Sequence, residues 1–127
     1  MNFFRDVDLV LENGEYAVKM YGKTIVLSPR QQAALKAKDQ KPGKVIMGVR
    51  PVHMTLSDDG FEARVDVSEM MGSELHLHLS LNGMDVVAVI PTAGMDIDNI
   101  KSGIVEKFSF DPALVHLFDA ETEKNLI

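Results

Sequence analysis

Apolar and polar residues alternate along much of the chain, a pattern typical of strands with one buried and one solvated face. The clearest case is a leucine stripe at Leu75, Leu77, Leu79 and Leu81, which alternates with Glu74, His76, His78 and Ser80. Residues 61–67 alternate in the same way. Further strands are predicted over residues 7–11, 16–21, 24–27, 84–90, 104–110 and 115–118. The leucines are expected to be buried and the two histidines exposed.

Dipeptides that suit tight turns separate several of these segments. Asn13-Gly14 and Asn82-Gly83 favour the positive φ angles of two-residue hairpin turns. Gly22-Lys23 is a third hairpin signal. Short strands at this spacing predict an all-β fold. The Gly and Pro residues between them indicate a small Greek-key barrel of the OB type.

A single helix is predicted over about residues 28–38. Ser28 can cap the free amides at its start, Pro29 suits the first turn, and the Ala-rich body has high helix propensity. The segment 39–43, Asp-Gln-Lys-Pro-Gly, ends this helix. We therefore predict one domain over residues 1–127 with two OB-like lobes, about 1–43 and 44–127, which can share strands.

The composition narrows the possible functions. The 127 residues include 13 Lys and Arg against 19 Asp and Glu, for a net charge of −6. An acidic chain without Trp is unlike nucleic-acid-binding domains, which usually carry a basic face. There is no cysteine, so disulfides and thiolate metal sites are excluded. No apolar run is long enough to span a bilayer and no signal peptide is visible, so membrane association is expected only through a partner.

Side chains capable of catalysis or metal binding are present but lack the context of a site. His76 and His78 project from one face of a predicted strand, and we expect a solvated polar face there rather than a zinc site. A pair of carboxylates for acid–base chemistry could come from acids in predicted turns or near the end of the sequence: Asp58, Asp59, Asp96, Asp98, Asp119 and Glu121. No Gly-x-Ser-x-Gly motif is present. We predict no catalytic residue and no metal site.

Three segments resemble a known family. They are Met1-Asn-Phe-Phe4, Met47-Gly-Val-Arg-Pro-Val-His53, and the residues from Val115 to Leu126, Val-His-Leu-Phe-Asp-Ala-Glu-Thr-Glu-Lys-Asn-Leu. They are similar to segments of the C-terminal accessory domain, TOBE or OB-like, in ATP-binding subunits of sugar-type ABC importers of the maltose and glycerol-phosphate kind. No Gly-x-x-x-x-Gly-Lys-Ser/Thr phosphate loop occurs. The chain therefore resembles the accessory domain without the ATPase domain.

The resemblance implies a regulatory and dimerisation domain, located in the cytoplasm at the inner face of the membrane. Its implied partners are a second accessory domain, its own ATPase domain, possible regulatory proteins and, indirectly, the permease subunits. No cofactor is expected in this chain, because ATP and Mg would be held by the ATPase domain of the parent subunit. The alternative is a free-standing domain that binds a small oxyanion, as related small barrels bind molybdate. Nucleic acid is not expected as a partner.

The resemblance also implies a structural or regulatory role for the residues that match the family's motifs: Gly48, Arg50, Pro51, His53, Glu69, Gly72, His116, Leu117, Phe118, Asp119 and Thr122. We expect Arg50 to tie a loop to backbone carbonyls or a carboxylate rather than to bind substrate. We expect Ser73 to belong to a structural turn, since Glu69 and Glu74 would repel an oxyanion there. Two positions depart from the family pattern: Val52 stands where the family has Glu, and Glu123 stands where it has Gly.

Overall fold

The structure is a computed structural model, and it describes residues 1–93 and 103–127. Asp96 and Asp98, named above as candidate acids, lie outside the described residues. The strands are β1 Asn2–Glu12, β2 Glu15–Met20, β3 Lys23–Val26, β4 Gly43–Val49, β5 Thr55–Met71, β6 Glu74–Leu81, β7 Met84–Pro91, β8 Val105–Ser109 and β9 His116–Asp119. The helix α1 spans Pro29–Ala37, and short 3-10 helices span Pro51–His53 and Pro112–Leu114. The predicted all-β fold with one short helix is confirmed.

The strands form two sheets. The first has the order β3-β2-β1-β4-β9 and the second the order β7-β6-β5-β8. By their backbone contacts, the residues group into a first unit of Met1, 3–49 and 111–127 and a second unit of Asn2 and 50–110. This grouping differs from the lobes expected at 1–43 and 44–127. The physical reason is that β4 and β9 pair antiparallel, which places both in the first sheet.

Tight turns close the hairpins. Asn13 and Gly14 have φ angles of 53° and 79°, and Asn82 and Gly83 have 48° and 81°, as a two-residue turn of type I′ requires. The third turn lies one residue earlier than predicted, at Tyr21 and Gly22, with φ angles of 50° and 80°. Tyr21 therefore takes the left-handed conformation, and Lys23 begins β3.

Helix α1 begins with a capping box. The Ser28 hydroxyl accepts from the Gln31 backbone N–H, and the Gln31 side chain accepts in turn from the Ser28 N–H at 2.9 Å. The buried Gln31 amide also donates to the carbonyl of Pro112 at 2.8 Å. Leu35 is fully buried one turn further along. The helix is thus tied to the Pro112–Leu114 turn by a hydrogen bond between residues far apart in sequence.

Each unit has an apolar interior. In the first unit the fully buried apolar side chains are Phe4, Val7, Leu9, Val18, Leu35, Met47, Val49 and Leu117. In the second they are Val65, Leu77, Leu79, Leu81, Val86, Ala88 and Phe108. The leucine stripe of β6 faces inward along its whole length, as predicted. Among the described residues, no helix is both long and apolar enough to cross a membrane.

Strand β5 is interrupted where it crosses β8. Leu56 and Phe61 both lie opposite Phe108, so the four residues between them are extra in the register. Gly60 sits at this irregularity, directly against the backbone of Phe108: a Cβ there would lie 2.3 Å from the Phe108 carbonyl oxygen. The absence of a side chain at residue 60 therefore permits the close approach of β5 and β8.

Candidate functional site

The two motif segments lie about sixty residues apart in sequence, and the first residues of each lie on adjacent strands, β4 and β9. Gly48 of β4 is opposite His116 of β9, Met47 is opposite Leu117, and Ile46 is opposite Phe118. A Cβ on Gly48 would meet the Met1 sulfur at 2.5 Å and the Phe118 ring at 3.3 Å. The motif glycine thus leaves room for side chains that cross it on one face of the first sheet.

Asp119 organises the turn after β9. One carboxylate oxygen accepts from the backbone N–H groups of Glu121 at 2.8 Å and Thr122 at 2.9 Å. Chiefly because of the Thr122 N–H and then the Glu121 N–H, the pKa of Asp119 lies below its ordinary value of 3.8. The Thr122 hydroxyl accepts in turn from the N–H of Lys124 at 3.3 Å. In this turn Asp119 and Thr122 therefore act as backbone-capping residues.

Glu123 stands out within the same turn. Its N–H donates to the carbonyl of Asp119 at 2.9 Å. Its φ is 60°, in the left-handed region that residues with a side chain rarely adopt. This is the position where the family pattern has glycine. The departure noted in the sequence therefore puts a glutamate into a backbone conformation that suits glycine better.

An aromatic cleft lies on the first unit. It has a volume of about 270 Å³ and is lined by Phe3, Arg5, Ile46, Phe118 and Glu123. The rings of Phe3 and Phe118 are 6.2 Å apart at an angle of 60°, so neither covers the face of the other. His116 lies beside them, its ring nearly parallel to that of Phe118 at 6.4 Å. Sequence reasoning missed Arg5 and Phe3 as site residues, although Phe3 lies within the Met-Asn-Phe-Phe tract.

The Arg50-Pro51-Val-His53 segment lies in the second unit. Pro51 opens the 3-10 helix, and the His53 N–H donates to the carbonyl of Arg50 at 2.9 Å. The Arg50 side chain is exposed, and its guanidinium forms no hydrogen bond or ion pair with another described residue. The tie expected from Arg50 is therefore not formed within the described chain. The Nδ1 atom of His53 is enclosed and lacks a hydrogen-bond partner there.

The Glu69–Glu74 segment forms the end of the β5–β6 hairpin. Gly72 has a φ of 64°, as expected for a glycine in a tight turn. Glu69 is exposed on β5, opposite His76. Met70 and Met71 are exposed rather than filling a core. The Ser73 carbonyl accepts from the N–H of Thr92 at 2.9 Å, so Ser73 helps to join the hairpin end to β7.

The two strand histidines lie on β6, two residues apart. His78 is exposed, and the half-buried His76 has its Nε2 3.7 Å from a Glu74 carboxylate oxygen. Among residues 1–93 and 103–127, no group of three or more His, Cys, Asp or Glu side chains is arranged to hold a metal ion. Both histidines lie on the polar face opposite the leucine stripe, the arrangement expected from the sequence.

A second groove follows the irregularity in β5. Its volume is about 770 Å³, and its lining includes Leu56, Asp58, Asp59, Glu62 and Val105. Asp58 and Asp59 were expected in a turn, but they belong to strand β5. This correction has a physical cause: the extra residues are absorbed as a bulge within the strand, and a bulge has no strong local sequence signal.

Comparison with known proteins finds a match to the TOBE domain family over residues 47–118. The multiple sugar-binding transport ATP-binding protein MsmK of Streptococcus mutans is 34% identical over 131 residues, covering 97% of this chain and 33% of that protein. The sn-glycerol-3-phosphate import ATP-binding protein UgpC of Ruegeria sp. is 35% identical over 85 residues, covering 66% and 24%. The chain thus spans about a third or less of the length of the curated relatives it matches.

A solved structure confirms the fold class. The cytoplasmic molybdate-binding protein ModG superposes with a TM-score of 0.70 at 15% identity, covering 91% of this chain and 94% of that one. At this level of identity the likeness concerns the fold. It supports the OB-like architecture predicted from the short strands and their turn residues.

Proposed function

Because the chain belongs to the TOBE domain family, we propose that it is the regulatory and dimerisation domain of the ATP-binding subunit of a carbohydrate-type ABC importer. The observation that supports the proposal is the antiparallel pairing of β4 with β9, which joins the first residues of the two motif segments in one sheet. The relatives include ATP-binding proteins of sugar and glycerol-phosphate transport, which supports the substrate class.

In this proposal the domain does no chemistry itself. The parent subunit would hold ATP and Mg²⁺ in its ATPase domain, at the cytoplasmic face of the membrane, and would reach the permeases through that domain. The accessory domains would contact each other and dock regulatory proteins. A regulator acts by binding one arrangement of the two subunits better than the other. It can shift the free energy between the two arrangements only by the difference between its binding free energies for them.

Two measurements on the purified chain test this proposal. The chain should bind no ATP in calorimetry and hydrolyse none, since it has no phosphate loop. The same chain joined to its ATPase domain should do both. Saturable binding of a non-hydrolysable ATP analogue by the chain alone would overturn the proposal.

A thermal-shift series with molybdate, sulfate and phosphate tests the oxyanion alternative. A ligand at 100 times its dissociation constant adds about 2.7 kcal/mol to the free energy of unfolding, which is a clear shift for a domain of this size. We expect no shift relative to chloride. A shift with one oxyanion alone would favour the binding domain instead.

A further inference from the structure

The aromatic cleft of the first unit has the form of a small-ligand site. Phe3 is 44% exposed and Phe118 is half-buried, and the two rings, tilted by 60° to each other, both line the cleft. The buried side chain of Ile46 also lines it. Pockets that hold small molecules combine such apolar walls with a few polar groups that fix orientation.

The cleft supplies two polar groups of opposite charge. Neither the Arg5 guanidinium nor the Glu123 carboxylate forms a hydrogen bond or an ion pair with another described residue. Elsewhere on the same unit exposed opposite charges do pair: Lys19 with Glu12 at 2.9 Å, and Lys44 with Asp8 at 3.0 Å. The guanidinium and the carboxylate at the cleft are therefore available to a ligand.

The position of Glu123 adds an independent observation. Its φ of 60° is less strained for glycine than for a residue with a side chain. Residue 123 is nevertheless a glutamate, and it lines the cleft. Backbone conformations of this kind are concentrated at ligand-binding sites. The neighbouring Glu121, in the same turn, does not line the cleft and provides a matched control.

We propose that this cleft binds one neutral sugar ring. The C–H groups on a pyranose face fit the electron-rich face of an aromatic ring. Its hydroxyls can donate to Glu123 and accept from Arg5. The two side-chain charges cancel, which favours a neutral ligand. The cleft, at about 270 Å³, lies just below the usual size of small-molecule pockets, roughly 300–1,000 Å³, and has room for a single ring.

Occupancy of the cleft would connect two parts of the first unit. Phe3 and Arg5 belong to β1, whereas Phe118 belongs to β9 and Glu123 to the turn after it. A ligand that bridges them stabilises the folded unit, and this stabilisation grows with the logarithm of the ligand concentration once that concentration exceeds the dissociation constant. The choice of a sugar among neutral ring compounds rests on the proposed function, in which the importer carries carbohydrates. A sugar that accumulates after import would then bind to the domain directly.

Nuclear magnetic resonance titration of the purified chain with glucose, galactose and sucrose tests the proposal. We expect saturable shifts in the amides of residues 3–5, 46 and 116–123 with at least one sugar, with a dissociation constant on the order of 1 mM. Sugars also stabilise proteins by exclusion from the surface, so each variant is measured at the same sugar concentrations. Glu123→Gly and Phe118→Ala should weaken the saturable response at least about tenfold, while Glu121→Gln should leave it unchanged.

The variant Glu123→Gly keeps this test independent of folding. It restores the residue that suits a positive φ, so its melting temperature without sugar should equal or exceed that of the parent chain. Equal sugar responses in the parent chain and in Glu123→Gly would overturn the proposal, as would no saturable response to any of the three sugars. Tighter binding of glycerol 3-phosphate by Glu123→Gly than by the parent chain would assign the cleft to anions instead. Failure of the proposed function would appear separately, as ATP binding by the chain alone.

Discussion

The close approach at Gly60 makes a quantitative prediction for Gly60→Ala. An added Cβ would lie 2.3 Å from the carbonyl oxygen, 2.6 Å from the carbonyl carbon and 2.9 Å from the nitrogen of Phe108. Carbon atoms in ordinary contact are about 3.5 Å or more apart, so the strands must separate by about 1 Å. All three atoms are backbone atoms next to a fully buried ring, and no side chain can rotate to make room.

The expected cost follows from this geometry. Overpacking of a well-packed interior costs about 1–3 kcal/mol, and a backbone clash belongs at the upper end of that range. Gly60 does not have a positive φ, so without the clash alanine would stabilise the chain by roughly 0.4–1 kcal/mol through the unfolded state. The contact with Phe108 thus decides the sign of the effect. At roughly 4 °C per kcal/mol, a loss of about 3 kcal/mol lowers the melting temperature by about 12 °C.

Gly48→Ala is the matched control for this experiment. Its nearest contacts are the Met1 sulfur at 2.5 Å and the Phe118 ring at 3.3 Å, and the Met1 side chain can move away. We expect a loss of less than about 1 kcal/mol. Urea unfolding followed by circular dichroism measures both variants, and amide exchange locates the effect in the second unit. A loss for Gly60→Ala no larger than that for Gly48→Ala would refute the close approach of β5 and β8.

Three further predictions concern other parts of the molecule. Leu77→Ala should cost about 2–5 kcal/mol in urea unfolding because the side chain is fully buried, whereas the exposed His78→Ala should stay within about 0.5 kcal/mol; equal losses would contradict the strand register. The lowered folded-state pKa of Asp119 implies stability that is present above its ordinary value of 3.8 and is lost as pH falls through the folded value. Asp119→Asn should therefore be less stable than the parent chain at neutral pH and approach it in acid, and a constant difference across pH would exclude this carboxylate as the cause. Sedimentation velocity should show a weak dimer that dissociates below roughly 10 μM and tightens with salt, because the charge of −6 repels a second copy; a monomer at every concentration and salt would contradict it.

Local chemistry made much of the fold predictable. The leucine stripe of β6 fixed which face is buried, and Asn82-Gly83 fixed the adjoining turn, because both signals act between neighbouring residues. The Ser28 cap and the helix after it were found for the same reason. The Tyr21-Gly22 turn was displaced by one residue, since tyrosine gives no signal for a positive φ.

Features that depend on pairing between residues far apart in sequence could not be predicted from the local pattern of apolar and polar residues. The alignment of β4 with β9 joins residues about seventy positions apart, and the sequence analysis did not predict it, because no signal within either segment indicates the partner strand. The irregularity at Gly60 and the positions of Asp58 and Asp59 depend on β8, which follows much later in the chain. The aromatic cleft likewise combines residues from β1, β4, β9 and the turn after β9. No local periodicity identifies Arg5 as a neighbour of Glu123.

The order in which the units are completed has a consequence for biosynthesis. Apart from Asn2, the second unit is one uninterrupted stretch, whereas the first needs residues 111–127 to finish its sheet. Domains generally fold as units during synthesis on the ribosome. The second unit can therefore fold before the first unit is complete. Until β9 emerges, β4 lacks its antiparallel partner, and an unpaired strand edge favours aggregation. Premature termination after residue 110 would thus leave a foldable second unit attached to an aggregation-prone first one.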